Sequence, residues 1–313
     1  MFPFPIIYIG FDMKEQIQDL IGHKILDIQK ISGGLINYVY RVWLHERTVI
    51  VKQSPPYISS QPHIPLSQTR SIFEQQALYR LPFMMSQSRT PKLLCGTLGL
   101  FVMEDKGRLP NMQEAFSFSI LRKLALWLAH LHNETYGQIC WNNIEVQQTR
   151  QIHQYNALAD WLSHRHRNAS VKLRTLGSFL LEQGICCIMG DLWPSSILID
   201  RDEFWVIDWE FSHYGRPLQD VAHFCAHLDL VFPQLHEGKT AKEIFLDEYQ
   251  RHCRAEIEDD ICSPWASIHY AAELLMRTQG VFAAHHKKQK ITEHAIHILR
   301  WDEPWAWMQP IGG

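Results

Sequence analysis

The sequence predicts an α+β chain, with a small β-rich lobe over residues 1–105 and a larger helical lobe over residues 106–313. Before residue 105 the apolar residues fall in short β-branched and aromatic runs, whereas after residue 107 they recur at helical spacing. The 313 residues also suffice for two domains or lobes at about 100–200 residues each.

In chain order, Leu26 to Ile31, Tyr38 to Leu44 and Arg47 to Gln53 read as strands, separated by a Gly-Gly turn and a His45-Glu46 turn. Pro55 to Pro65 reads as a Pro/Ser/Gln-rich loop, and Ser71 to Leu81 as a helix with Ile72, Leu78 and Leu81 on one face. Leu93 to Gly96 and Leu100 to Met103 form two further strands around Thr97-Leu98-Gly99. Beyond Lys106-Gly107, Phe116 to His132 places Leu121, Leu124, Leu128 and Leu131 at helical spacing. Ala157 to His164 and Leu173 to Glu182 are helical too. A β-like island follows, Ile197 to Ile199 and Phe204 to Ile207 about an Asp200-Arg201-Asp202 turn. From Leu218 on, helices return through Ala241 to Arg254 and Ile268 to His285.

Composition excludes several classes of function. A hydrophobic fraction of 46% rules out a disordered chain, and 30 Lys+Arg against 33 Asp+Glu demands neither a nucleic-acid nor an anionic-membrane partner. No apolar run reaches transmembrane length, and the opening MFPFPIIYIGFDMKEQ lacks a basic region and is broken by Pro3 and Pro5. The seven cysteines contain no C-x-x-C pair, so reduced thiols in a cytoplasmic protein are expected.

The densest chemistry lies in Gly190-Asp191-Leu192-Trp193-Pro194-Ser195-Ser196-Ile197-Leu198-Ile199-Asp200, followed by Val206-Ile207-Asp208-Trp209-Glu210. An aspartate at a strand end ordinarily caps a turn. Two of them joined by a hairpin suit phosphoryl transfer instead, where one carboxylate takes the acceptor's proton and another holds the metal on the phosphates. In the first lobe, Ser32-Gly33-Gly34-Leu35-Ile36-Asn37-Tyr38 is a glycine turn between strands, where backbone N–H groups can approach phosphate without a Cβ in the way. Lys52 ends the third strand in Val49-Ile50-Val51-Lys52; it can pair with phosphates if Glu74 on the next helix holds it. The bland readings are a hairpin turn, an exposed lysine and a solvated glutamate.

These strings, with Gly215-Arg216-Pro217-Leu218-Gln219-Asp220, resemble the aminoglycoside phosphotransferase/choline kinase superfamily. Its pattern runs His-Gly-Asp-x-x-x-x-Asn, strand, Asp-x-Glu, then Gly-x-Pro-x-x-Asp. The resemblance spans about Ile25 to Ala222 and implies a bilobal protein-kinase-like fold with ATP in the cleft. It also implies Mg²⁺-dependent transfer of the γ-phosphate to a hydroxyl of a small molecule (an amino alcohol, sugar or aminoglycoside). By that resemblance Asp191 is the catalytic base, Asp208 the principal Mg²⁺ ligand with Glu210 and Ser196 as further ligands, and Asp220 a brace for the catalytic loop. Gly33, Gly34, Asn37, Lys52 and Glu74 would serve the phosphates. The hinge Met103, Glu104 and Asp105 would meet adenine. Gly33-Gly34-x-x-Asn37, Ser196 and Met276-Arg277-x-x-Gly280 are similar to methylthioribose kinases within the superfamily.

Two positions depart from the pattern: Met189 replaces the usual His, and Ser196 the usual metal-binding Asn. They motivate a second expectation, a kinase-fold protein impaired in catalysis that binds a ligand or partner; Lys52, Asp191 and Asp208 argue against it. Phosphorylation of proteins is not expected, because no Ala-Pro-Glu segment follows Asp208. Gly238-Lys239-Thr240 is not a P-loop, since Pro233 stands where the first Gly belongs. His223 and His227 have i, i+4 spacing but no H-E-x-x-H context, so ordinary helix histidines are expected. His130 and His132 lie two apart and should face different sides. The C-terminal Trp301, Trp305 and Trp307 are expected to pack on the helical lobe, and the Glu256 to Asp260 run to form a solvated face. Acidic Glu273 and basic Arg277 stand among candidates for contacting the acceptor.

Overall fold

A computed structural model describes residues 13–31, 34–138, 140–182, 184–232, 235–236, 238–279, 285–300 and 306–308. The chain divides into two compact units, Met1–Ile72 with Pro91–Lys106 and Phe73–Thr90 with Gly107–Gly313. It is α+β, the first unit built on a sheet and the second on helices.

The first unit opens with α1 (Met13–Ile21) and strands β1 (Asp27–Ile31), β2 (Tyr38–Trp43) and β3 (Thr48–Gln53). With β6 (Leu93–Thr97) and β7 (Leu100–Glu104) they form a five-stranded antiparallel sheet in the order β1-β2-β3-β7-β6. β3 lies at the centre, which is why Val49, Ile50, Val51 and Lys52 are all buried rather than alternating. Ile17, Ile25, Val42, Leu44, Val49, Val51 and Val102 make one core beneath α1.

The Pro55 to Pro65 stretch is not a plain loop. It carries a short hairpin, β4 (Tyr57–Ile58) with β5 (Gln61–Pro65). Its tip is ordered because Ser59 and Ser60 donate backbone N–H groups to the carbonyls of Ile36 and Leu35, at 3.1 and 3.0 Å. The following helix, α2 (Arg70–Met84), outruns the expected Leu81 and passes through Pro82. A proline in the last turn forfeits a single ladder bond, a smaller loss than in mid-helix.

In the second unit α3 (Phe118–Glu134) begins where the Ser117 hydroxyl accepts from the Ile120 N–H, and its Leu121, Leu124, Leu128 and Leu131 are buried as the spacing requires. α4 (Ile144–Arg150), a π-helical stretch (Gln151–Asn156) and α5 (Ala157–Leu162) run on as one rod, and α6 (Arg167–Phe179) follows. Sequence periodicity captures Ala157 onward and misses the first two. The π turn shifts the apolar register, so no single 3.6-residue period fits the whole rod.

Four short strands make two antiparallel pairs: β8 (Cys186–Ile188) with β11 (His213–Gly215), and, within the stretch between them, the hairpin β9 (Ile197–Asp200) with β10 (Glu203–Val206). α7 (Pro217–Val231) is buried on every side from Pro217 to Leu228. β12 (Leu235–His236) pairs with β13 (Lys239–Thr240), and then α8 (Ala241–His252) starts on a capping box between Thr240 and Glu243. Gly238-Lys239-Thr240 is thus a turn and a helix cap. α9 (Ala255–Ile261), α10 (Pro264–Gln279) and α11 (His285–Arg300) complete the unit.

The Glu256 to Asp260 run is only in part a solvated face. Asp260 is buried, pairing with Arg216 at 3.0 Å and accepting the Leu218 N–H at 3.0 Å. Trp307 packs inside against Tyr270, and its carbonyl accepts from Lys242 at 2.9 Å; Trp301 and Trp305 lie outside the described residues. Among the described residues no helix is long and apolar enough to cross a membrane.

Candidate active site

The loop leaving β8 is held from beneath. Asp220, in the first turn of α7 and fully buried, accepts the N–H of Met189 at 2.8 Å and of Gly190 at 2.7 Å. His132 of α3 reaches the same carboxylate, Nε2 to Oδ2 at 3.3 Å, and its Nδ1 meets the Tyr249 hydroxyl at 2.6 Å. Burial works to raise the Asp220 carboxyl, but His132 and the two backbone donors outweigh it and hold the group below its ordinary range. The expected brace at Asp220 is therefore present as geometry.

Gly190 has φ +83, and a Cβ there would run into the Phe211 carbonyl oxygen, so the 189–191 loop lies directly on the 209–211 turn. Arg150 at the end of α4 donates to the Gly190 carbonyl and pairs with Glu273 of α10 at 3.2 Å. Both backbone groups of Gly190 are thus tied down by charged side chains. Met189, where the family pattern has His, is fully buried and still gives its N–H to Asp220.

Asp191 follows, its side chain 28% exposed, with His223 Nε2 at 3.5 Å from Oδ1. After a 3₁₀ turn (Pro194–Ser196), the Ser196 carbonyl accepts the Ile207 N–H at 2.9 Å, which ties the start of β9 to the residue before Asp208. The Ser196 hydroxyl is buried, with no hydrogen-bond partner among the described residues. Asp208 takes a left-handed conformation (φ 66, ψ 56), uncommon outside glycine and a mark of a position held by its surroundings. Glu210 is buried, and its carbonyl accepts from Asn143 Nδ2 at 2.9 Å.

In the first unit, Lys52 is 1% exposed on β3, opposite Val39 and Phe101, and the solvent-exposed reading is overturned. Glu74 on α2 is buried as well, so the solvated-face reading fails there too. An ammonium or carboxylate is almost never fully buried unless it is paired. Gly33 lies outside the described residues, and Gly34 is exposed, with the Asn37 carbonyl 3.0 Å from where a Cβ would stand. Asn37 is buried and its Oδ1 accepts from Arg70 at 3.1 Å, so its amide braces the turn. Met103 and Glu104 end β7, with the Glu104 N–H on the Lys92 carbonyl at 2.9 Å. The Asp105 carboxylate is gripped by Arg41 at 2.7 and 2.9 Å.

Sequence reasoning missed His132, Arg150 and His223 as parts of this arrangement. His132 stands four residues after Leu128, on the buried face of α3, and His223 three after Asp220; these spacings were signals. Little local marks Arg150, because its partners in the site, Gly190 and Glu273, lie 40 and 123 residues away in sequence, and only Gln154 is near.

The profile of the phosphotransferase enzyme family, APH, matches residues 27–252. The chain belongs to this family. A 4-hydroxytryptamine kinase of Psilocybe cyanescens is 23% identical over 299 residues, covering 79% of this chain and 82% of the relative. A methylthioribose kinase of Exiguobacterium sibiricum is 26% identical over 263 residues, covering 71% and 67%. Among solved structures, an amicoumacin kinase in complex with AMP-PNP, Ca²⁺ and Ami is similar in fold, with a TM-score of 0.58 at 13% identity over 92% of this chain and 93% of that one. This phosphotransferase is a small-molecule kinase.

Proposed function

We propose that the enzyme transfers the γ-phosphate of ATP, with Mg²⁺, to a hydroxyl of a small molecule of the amino alcohol, sugar or aminoglycoside class. The observation that carries this reading is Asp191, a part-exposed carboxylate on a loop whose two preceding N–H groups are clamped by buried Asp220. A base that must meet a diffusing hydroxyl needs that combination of access and fixed position.

The donor set suits a hard divalent cation. Asp208 and Glu210 offer carboxylates, and the buried Ser196 hydroxyl, unpartnered among the described residues, is an oxygen awaiting a ligand. When bound, Mg²⁺ supplies neutralisation of phosphate charge. Lys52 would pair with the phosphates, Glu74 would keep its ammonium in place, and the backbone at Gly33 and Gly34 would donate to phosphate oxygens. Met103 to Asp105 would offer backbone groups to adenine, and Asn37 would support the glycine turn. Asp191 would orient the acceptor hydroxyl and take its proton. Met189 and Ser196 leave this chemistry in place, because the first contributes its N–H and the second keeps an oxygen. The AMP-PNP and Ca²⁺ named for the amicoumacin kinase support a nucleotide and a divalent metal here, and the two relatives make 4-hydroxytryptamine and methylthioribose the first acceptors to try.

A thermal melt with millimolar ATP tests the nucleotide and metal together. At about 100 times Kd a ligand that binds only the folded state adds about 2.7 kcal/mol, which is a rise of several degrees for a chain of this size. The rise is expected in magnesium, and is expected to vanish in excess chelator and in Asp208→Ala. No shift under any of these conditions would refute the reading.

A further inference from the structure

Behind Asp191 lies a buried group of titratable side chains for which the phosphotransfer reading has no use. His223 on α7 has Nε2 3.5 Å from Asp191 Oδ1 and Nδ1 3.2 Å from Glu273 Oε2. Neither approach is aligned as a hydrogen bond, so these are electrostatic pairings across short gaps. Arg150 and Gln154 both donate to the other oxygen of Glu273. Burial pushes this carboxyl up, but His223, His269 and Arg150 together hold it well below the usual range. Of the two carboxylates Glu273 lies nearer and faces Nδ1, while Asp191 faces Nε2, so a ring that gives its N–H to Glu273 keeps the Nε2 side for Asp191.

Ligand atoms of His223, His269 and Glu273 lie within 4.8 Å of one another, a grouping that also suggests a metal. Both His269 nitrogens, however, are already engaged, Nε2 with the Gln219 carbonyl at 3.2 Å and Nδ1 with the Tyr155 hydroxyl at 3.1 Å. Glu273 in turn already carries the Arg150 cation. The cluster is organised for protons rather than for an ion.

We propose that His223, oriented by Glu273, takes on from Asp191 the proton that the acceptor hydroxyl gives up. This rests on the phosphotransfer reading. The acceptor oxygen bonds to the γ-phosphorus as the bond from that phosphorus to the bridging oxygen breaks, and ADP leaves with the electron pair. The hydroxyl proton passes to the Asp191 carboxylate and then to His223 Nε2, which becomes an imidazolium beside ionised Glu273. It returns through Asp191, the exposed member, to water before the next turnover. The transfer returns Asp191 to its carboxylate form. His223 touches Asp191 and not the substrate, and so is a positioning residue. The groups that face it are Asp191, His227 on its own helix and Glu273 and His269 on α10, with Arg150 behind Glu273 and Arg277 beyond the Trp193 ring.

Nitrogen-15 NMR of the full chain reads the His223 tautomer without any acceptor, its signal assigned by its loss in His223→Gln or, should that variant not fold, by through-bond correlation. The Nδ1–H form is expected at neutral pH. An Nε2–H form, or a ring already carrying both protons, overturns the proposal. Kinetics then use ATP with 4-hydroxytryptamine, methylthioribose or water as acceptor. His223→Gln should lower kcat about 10-fold or more, leave KM for ATP nearly unchanged, and alter the acid limb of the pH profile. Transfer by the wild type with an unaltered profile in His223→Gln defeats the relay alone. No transfer by the wild type to any of the three defeats the phosphotransfer reading and the relay with it. Tight uptake of zinc alone, lost in His269→Gln, would replace the relay with a metal site.

Discussion

Asp191→Asn is expected to lower phosphotransfer by about 10²- to 10⁴-fold, the usual worth of a positioned general base, while the ATP-dependent rise in melting temperature persists. The two outcomes separate because the side chain does different work in each. An amide of the same shape keeps the loop packed, and Asp191 itself accepts none of the backbone hydrogen bonds that clamp the loop, which go to Asp220. What the amide cannot do is receive a proton. Single-turnover rates with saturating ATP and a fixed acceptor make the measurement, since product release is then out of the observed step. A variant that turns over within about threefold of the wild type would remove Asp191 from the reaction, because a base worth so little is no base. A variant that loses both turnover and the thermal shift would mean that Asp191 serves nucleotide binding, and the proposed division of roles would fail.

Asp191 and Asp208 are legible in the sequence because the machinery around them is local. A turn, two four-residue strands and a second turn suffice to return the chain before Asp208 to Ser196, and short strands rich in Ile, Leu, Phe and Val announce themselves. The sheet of the first unit is readable for the same reason, each strand being a compact β-branched run. The supporting groups lie beyond the reach of such patterns. Arg150 and Glu273 meet only because the π-helical stretch and α5 pack on α10, and that π turn hides even the helix that carries Arg150. Lys52 and Glu74 are singled out by their pattern together, not by either residue alone. Each looks ordinary for a surface residue, and only burial shows that neither is. The Pro55 to Pro65 hairpin escapes because its prolines argue against strands, whereas its order comes from backbone bonds to Leu35 and Ile36.

Asp220→Ala is expected to cost about 3–5 kcal/mol, the range for breaking a buried charged network by removing one partner. Three donors lose their acceptor at once, the N–H groups of Met189 and Gly190 and His132 Nε2, and all are buried away from water. Asp220→Asn should rescue little. Its amide can accept one backbone N–H but must turn its own NH₂ toward another donor. Urea unfolding, fitted with allowance for separate transitions of the two units, gives the comparison. A loss below about 1 kcal/mol, the worth of an ordinary hydrogen bond, would show that water replaces Asp220 without penalty. The pH dependence distinguishes this network from the other buried groups. Asp220 has a depressed folded value, so its contribution is present above the ordinary aspartate range and is lost as pH falls through that lower folded value. His213, pushed down to about 4 by burial, and His269, pushed down to about 3, act earlier. The unfolded chain protonates these imidazoles from about pH 6.5 downward while the folded one resists, so stability is full above that pH and falls steadily below it. Acid unfolding of the wild type should therefore begin near pH 6 and steepen below pH 4. In Asp220→Ala the upper limb should survive from a lower plateau and the extra steepening should diminish, since one of the two buried carboxylates that cause it is gone while Glu273, also held low, remains.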